Sequence, residues 1–151
     1  MNRSFSIPLA LLALGACGSG ILGSGSGGTS SQQFTRTVET VPASLVKAAI
    51  TTFSRYGIPI AEADEPGGRV RTMLVNLRSL ARRFDEAPLS CPEGTASDAA
   101  ARFRFDIQVR RTDKGSTMSL ETEREGDSRC VVRSAFVSAL LDEIANTAGR
   151  R

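Results

Sequence analysis

The chain contains no histidine and no tryptophan, and its aromatic share is 5%, seven Phe and one Tyr in 151 residues. Without His there is no Ser-His or Cys-His nucleophile pair, no imidazole general base and no His-containing metal site. Three cysteines without a His partner cannot complete a tetrahedral zinc site unless carboxylates join them, and no metal or cofactor is expected. No Gly-Lys-Ser/Thr occurs, so the Gly-rich stretch near the N-terminus is not a phosphate-binding loop. A strong charge of either sign is also missing. Seventeen Arg and two Lys face 16 acidic residues for a net +3, or +2 once Arg3 is removed with the leader described below. That is too little to argue for nucleic acid. The length fits one domain and excludes a large enzyme with a separate cofactor domain.

What is present begins with an address. Arg3 supplies a positive charge, and Phe5 to Leu14 (FSIPLALLAL) is an apolar run about half the length that a membrane span needs. Leu14-Gly15-Ala16-Cys17 then closes the segment. An ordinary secretory signal with an incidental Cys, or a buried N-terminal helix, are the plainer readings. The four residues nevertheless resemble the lipobox of bacterial lipoproteins, an aliphatic residue and two small ones before a cysteine. That resemblance implies a signal peptide over 1–16 and acylation of Cys17, which becomes the mature N-terminus. Gly18 stands where lipoproteins kept in the inner membrane often carry Asp, so the resemblance implies the periplasmic side of the outer membrane. Residues 18–31 are almost entirely Gly and Ser, a flexible coil. With Cys17, residues 17–33 form a tether that holds a domain on the order of 20 Å from the bilayer.

Cysteine parity agrees with export. If Cys17 is consumed by acylation, Cys91 and Cys130 remain as an even pair in a compartment where disulfides persist. A bridge is expected, stabilising the domain by roughly 3 to 4 kcal/mol in the chain-entropy description.

Residues 34–148 carry the pattern of one α+β domain, with 149–151 as a tail. Phe34 to Val41 is rich in β-branched residues and predicts a strand, with Arg36 interrupting its apolar face. Pro42 suits a first helical turn, and Leu45, Ala49, Phe53 and Tyr56 recur at helical spacing before Gly57. Ile58 to Ala63 and Arg69 to about Leu77 read as a hairpin around Asp64-Glu65-Pro66-Gly67-Gly68. Residues 73–84 also satisfy a helical period, and strand to about Leu77 is the preferred reading. Phe103, Phe105, Ile107 and Val109 alternate with polar residues, as do Met118, Leu120 and Thr122. Turning through Thr112 to Gly115 sets Val109 on Met118, Ile107 on Leu120 and Arg104 on Glu123, which satisfies both faces at once. Asp106 then meets Glu121, with diagonal Arg104 expected to ease the repulsion. Phe136, Val137, Leu140, Leu141 and Ile144 predict a last helix, with Ser134 as its cap.

The order β-α-β-β-β-β-α makes a two-layer domain, an antiparallel sheet of about five strands with two helices on one face. In element order, residues 34–148 are loosely similar to the helix-grip domains of the accessory lipoprotein C of the outer-membrane β-barrel assembly machinery. The resemblance implies an envelope protein as partner. Asp64, Glu65, Asp85, Glu86, Asp142 and Glu143 are the carboxylates available for catalysis, but turns and polar helix or strand faces account for them. No catalytic residue is assigned. Arg69, Arg71, Arg78, Arg82 and Arg83 form a local basic stretch that could meet lipid or lipopolysaccharide phosphates, or simply be a solvated surface. Two functions compete: a tethered, non-catalytic interaction module, and a carrier holding a small ligand or lipid between helix and sheet. A pocket larger than about 300 Å³ beneath the helices would favour the carrier.

Overall fold

In the computed structural model, residues 31–92, 101–126 and 128–150 are described. Strand β1 (Ser31–Val38) leads to helix α1 (Pro42–Tyr56), the hairpin of β2 (Ile60–Asp64) and β3 (Arg69–Thr72), and the short helix α2 (Leu77–Leu80). A 3-10 turn (Ala81–Arg83) and the two-residue strand β4 (Leu89–Ser90) follow. The long strands β5 (Arg102–Thr112) and β6 (Gly115–Glu125), the short β7 (Val131–Val132) and helix α3 (Ser134–Gly149) complete the chain. The sheet is antiparallel, in the order β1-β6-β5-β3-β2, and β4 pairs separately with β7. This is the expected α+β class.

The β5–β6 hairpin shows why the pattern is decisive. Every expected pair is present, from Thr112 opposite Gly115 to Arg102 opposite Glu125. One residue of slip would move the whole apolar set to the wet face. On the inner face Phe103, Phe105, Ile107, Val109, Met118 and Leu120 are buried under α1 and α3, together with Leu45, Ala49, Phe53, Phe136, Val137, Leu141 and Ile144. Pro42 sits in the first turn of α1, where a missing N–H costs nothing. Gly57 ends that helix at φ 72°, the left-handed conformation a side chain resists. The Arg83 guanidinium fills the space where a Cβ at Gly57 would stand. Gly115, at φ 134°, lets the hairpin end approach the carbonyl of Val38.

Four local expectations are corrected. The first strand covers Ser31–Val38 rather than Phe34–Val41, because β6 offers partners down to Glu123 for the polar residues Ser31 and Gln33. Strand β3 stops at Thr72, with only a single bridge from Val75 to Phe103 beyond it. Leu77 is helical because the Asn76 side chain accepts from the N–H groups of Arg78 and Ser79, competing successfully with extension of the strand. Ser134 is the first residue of α3 and not its cap; Arg133 stands at the cap position, with no side-chain hydrogen bond there. Finally, Arg104 does not relieve Asp106, as described next.

Candidate functional site

The outer face of the sheet is a lattice of charges. Asp106 lies at its centre on β5, opposite Glu121. The relief comes from β3: Arg69 donates two hydrogen bonds to the Asp106 carboxylate, 3.0 Å through Nε and 2.5 Å through Nη2. Arg71 adds a longer contact of 3.8 Å and reaches Glu123 at 3.6 Å. Arg104 instead donates to Glu123 at 3.2 Å, and Arg102 pairs with Glu125 at 2.9 Å. The Asp106 hydrogen bonds hold the Arg69 guanidinium pKa above its ordinary value, and the charge of Asp106 adds to this. Arg69 and Arg71 therefore spend their charge on structure.

The other three arginines of the basic stretch lie elsewhere. Arg78 starts α2, and Arg82 and Arg83 belong to the turn after it. Arg83 donates to the carbonyl of Tyr56 at 3.2 Å. Chain order places five arginines together; the fold divides them into two paired with carboxylates and three exposed without an ion pair among the described residues, Arg83 being held on the Tyr56 carbonyl.

Cys91 and Cys130 are joined by a disulfide, as expected. It sits beside the β4–β7 ladder, where Leu89 opposes Val132 and Ser90 opposes Val131. Cys130 is fully buried and belongs to the core. Cys17 and the tether up to residue 30 lie outside the described residues.

The candidate carboxylates are dispersed. Asp64 accepts from the Gly67 N–H at 2.9 Å, Glu65 pairs with Lys47 at 3.7 Å, Asp142 pairs with Arg36 at 2.5 Å and Glu143 pairs with Arg55. The ion pair with Asp142 also explains Arg36, the charge that interrupts the inner face of β1: it reaches across to α3. Asp85 and Glu86 stand at the mouth of a cleft floored by Tyr56, Phe84, Phe136 and Leu140. Sequence reasoning did not find this aromatic group, in which Phe84 packs 4.7 Å from both Tyr56 and Phe136 between ring centroids. Its signal was the helical period of residues 73–84. Burial raises the Tyr56 pKa above its ordinary value of 10.0, and the negative charge of Glu143 adds to the rise, against a lowering by Arg55.

This cleft, between the helices and the segment after β3, has a volume of only about 60 Å³. Two larger depressions are open to solvent. One, about 770 Å³, lies at the hairpin end between Glu39, Val41, Arg111 and Lys114. The other, about 540 Å³, lies between Gln32, Val131 and the start of α3. Neither is a chamber beneath the helices.

Fold and surface together define, among the described residues, a two-layer α+β domain with aromatic packing between helices and sheet, a charge-paired outer face and one disulfide staple. No family model matches the sequence, and no curated protein matches it. Among solved structures the chain is similar to Ara h 8.0201, with a TM-score of 0.48 at 11% identity over 82% of this chain and 100% of that one. It is also similar to an uncharacterised protein from Rhizobium leguminosarum, with a TM-score of 0.40 at 9% identity over 82% and 97% of the two chains. A third likeness is to protein CV1439 from Chromobacterium violaceum, with a TM-score of 0.34 at 10% identity over 80% and 95%.

Proposed function

We propose that the protein is a lipid-anchored envelope protein whose folded domain is a non-catalytic interaction module, acting in outer-membrane assembly or maintenance. The observation that carries this reading is the aromatic packing between helices and sheet. Phe53, Phe105 and Phe136 lie with ring centroids about 6 Å apart, Phe53 to Phe105 at 5.9 Å and Phe105 to Phe136 at 6.3 Å. Among the described residues these rings take up part of the space between helices and sheet. Drug-sized ligands need pockets of roughly 300 to 1,000 Å³, several times the cleft beside Phe84. The polar outer face and the free edge of β1 are left for a protein partner. The anchor is read from Arg3, the run from Phe5 to Leu14, Cys17 and the Gly/Ser tether, and the disulfide fits an oxidising compartment.

Two experiments test the reading. Cells expressing the wild type or Cys17→Ser are labelled with a radioactive fatty acid; label on the wild type alone is expected, and an unlabelled wild type overturns the anchor. Crosslinking in intact cells followed by mass spectrometry then asks for a partner. A reproducible protein partner is expected, whereas a co-purifying lipid with no protein partner returns the carrier reading.

A further inference from the structure

The strand register decides which end of the domain meets the tether. Ser31, the first residue of β1, stands opposite Glu123, and Glu123 stands opposite Arg104. One residue along β5, Phe103 bridges to Val75, and Thr72 pairs with Ile60 at the start of β2. The beginning of β1, the beginning of β2 and the exit from β3 are therefore at one end of the sheet. The β5–β6 turn and the β2–β3 turn are at the other.

Helix α2 and its 3-10 turn are attached to the tether end. Val75 fixes one side through its bridge, and Arg83 fixes the other through the carbonyl of Tyr56, three residues before Pro59. On this segment Arg78, Arg82 and Arg83 are all exposed. Among the described residues none of them forms an ion pair, in contrast to Arg69, Arg71, Arg102 and Arg104, and the exposed Asp85 and Glu86 follow on the same segment. Met73, hydrogen-bonded through its N–H to the carbonyl of Pro59, is at the same end and 53% exposed. Three exposed guanidiniums with no ion pair among the described residues, one of them hydrogen-bonded to the Tyr56 carbonyl, stand beside a solvent-exposed thioether; together they are the ingredients of a peripheral membrane contact: charge for phosphate, an apolar side chain for the headgroup boundary.

We propose that the tether end of the domain docks on an anionic phospholipid bilayer, with Arg78, Arg82 and Arg83 against the phosphates and Met73 at the headgroup boundary. The idea rests on the lipid-anchored reading only in that it needs a bilayer within reach. The anchor read from the sequence sets no orientation of its own; the arginines select which end faces the membrane. That orientation directs the opposite end, with the β5–β6 turn, toward the periplasmic space.

The test uses the full chain with Cys17→Ser, which carries no acyl group, and vesicles of phosphatidylcholine with or without phosphatidylglycerol. The readout is the ratio of binding to the two vesicle types at low salt, in which the apolar leader residues contribute alike. Each arginine near an anionic surface contributes roughly fivefold. The triple variant R78Q/R82Q/R83Q is expected to lose on the order of 100-fold of that ratio. R110Q/R111Q/K114Q, at the hairpin end, is expected to keep it. If the change at Arg83 impairs folding, R78Q/R82Q, which removes no side-chain partner among the described residues, is expected to lose roughly 25-fold. An unchanged ratio in the tether-end variants overturns the proposal, and so does an equal loss from the hairpin-end variant, which would indicate net charge without a docking face. Because the protein in this assay is not acylated, the outcome is separate from that of the fatty-acid labelling.

Discussion

Removing the Cys91–Cys130 bridge should cost a large part of the domain's stability. The cysteines are 39 residues apart in sequence. In the chain-entropy description, cross-linking a loop of that length withdraws about 13 cal/mol/K from the unfolded chain, or about 4 kcal/mol at 25 °C. Small domains have roughly 5 to 15 kcal/mol in total. Local structure offers little compensation, since the adjacent β4–β7 ladder has two residue pairs. It is supplemented by the Arg133 N–H to the Pro88 carbonyl at 3.0 Å and Arg133 Nε to the Leu89 carbonyl at 2.9 Å. Urea unfolding followed by circular dichroism would compare the oxidised protein, the reduced protein and C91A/C130A. The reduced protein isolates the cross-link, because it keeps both sulfur atoms in place. The alanine variant adds the loss of a buried sulfur at Cys130 and is expected to be the least stable. A loss of about 3 to 4 kcal/mol on reduction is expected, with a steeper denaturant dependence because the unlinked unfolded chain exposes more surface. A loss below about 1 kcal/mol would refute the argument and place the stability in the β5–β6 core alone.

Other perturbations test the surface and the caps. Asp106→Ala, which leaves Arg69 without its carboxylate, should lower the melting temperature slightly, and less at high salt, while Glu121→Ala should be neutral or slightly stabilising; thermal melts of both variants check the pair. Gly57→Ala forces a side chain into the left-handed region and against Arg83, and a loss of about 1 to 2 kcal/mol is expected by chemical denaturation. Tyr56 has a raised pKa in the folded state, so the folded protein holds that proton more tightly than the unfolded chain. The associated stability is present below the ordinary value of 10.0 and is lost as pH rises through the higher folded value. Unfolding titrations from pH 9 upward should show this decline in the wild type and a shallower one in Tyr56→Phe.

How much of this was legible in the sequence depends on how many constraints acted on each residue. The β5–β6 register was legible because an apolar and a charged face had to be satisfied together, and a short turn left one solution. Helix α1 was legible from a period with a proline at one end and a glycine at the other. The start of β1 was not, since Ser31, Gln32 and Gln33 have no pattern of their own and are strand because β6 supplies partners. Leu77 satisfied strand and helix patterns equally; a single side chain, Asn76, decides between them by capping α2. The disulfide followed from parity, but the two-residue ladder beside it is too short to have a period. Among the arginines, composition showed a basic stretch and concealed a division. Whether a guanidinium is free depends on what the neighbouring strands present: Asp106 of β5 binds Arg69 and Arg71, and Glu123 of β6 binds Arg71 as well.

The sheet order also has a temporal side. Strand β1 is the first of the sheet to be synthesised, yet its neighbour is β6, so that Ser31 must wait for Glu123 and Val38 for Ser116. The β5–β6 hairpin and the β2–β3 hairpin close over short distances along the chain and can form early, whereas joining β1 to β6 demands a long loop closure. During that interval the open flank of β6 is a row of unsatisfied backbone donors and acceptors that a second chain could occupy. Under the proposed export, threading through a membrane from the N-terminus would prolong the interval, because the strand that must seal the sheet emerges before there is a sheet to seal. Maturation of this protein is therefore most vulnerable to misassembly after its hairpins have formed and before its first strand has returned.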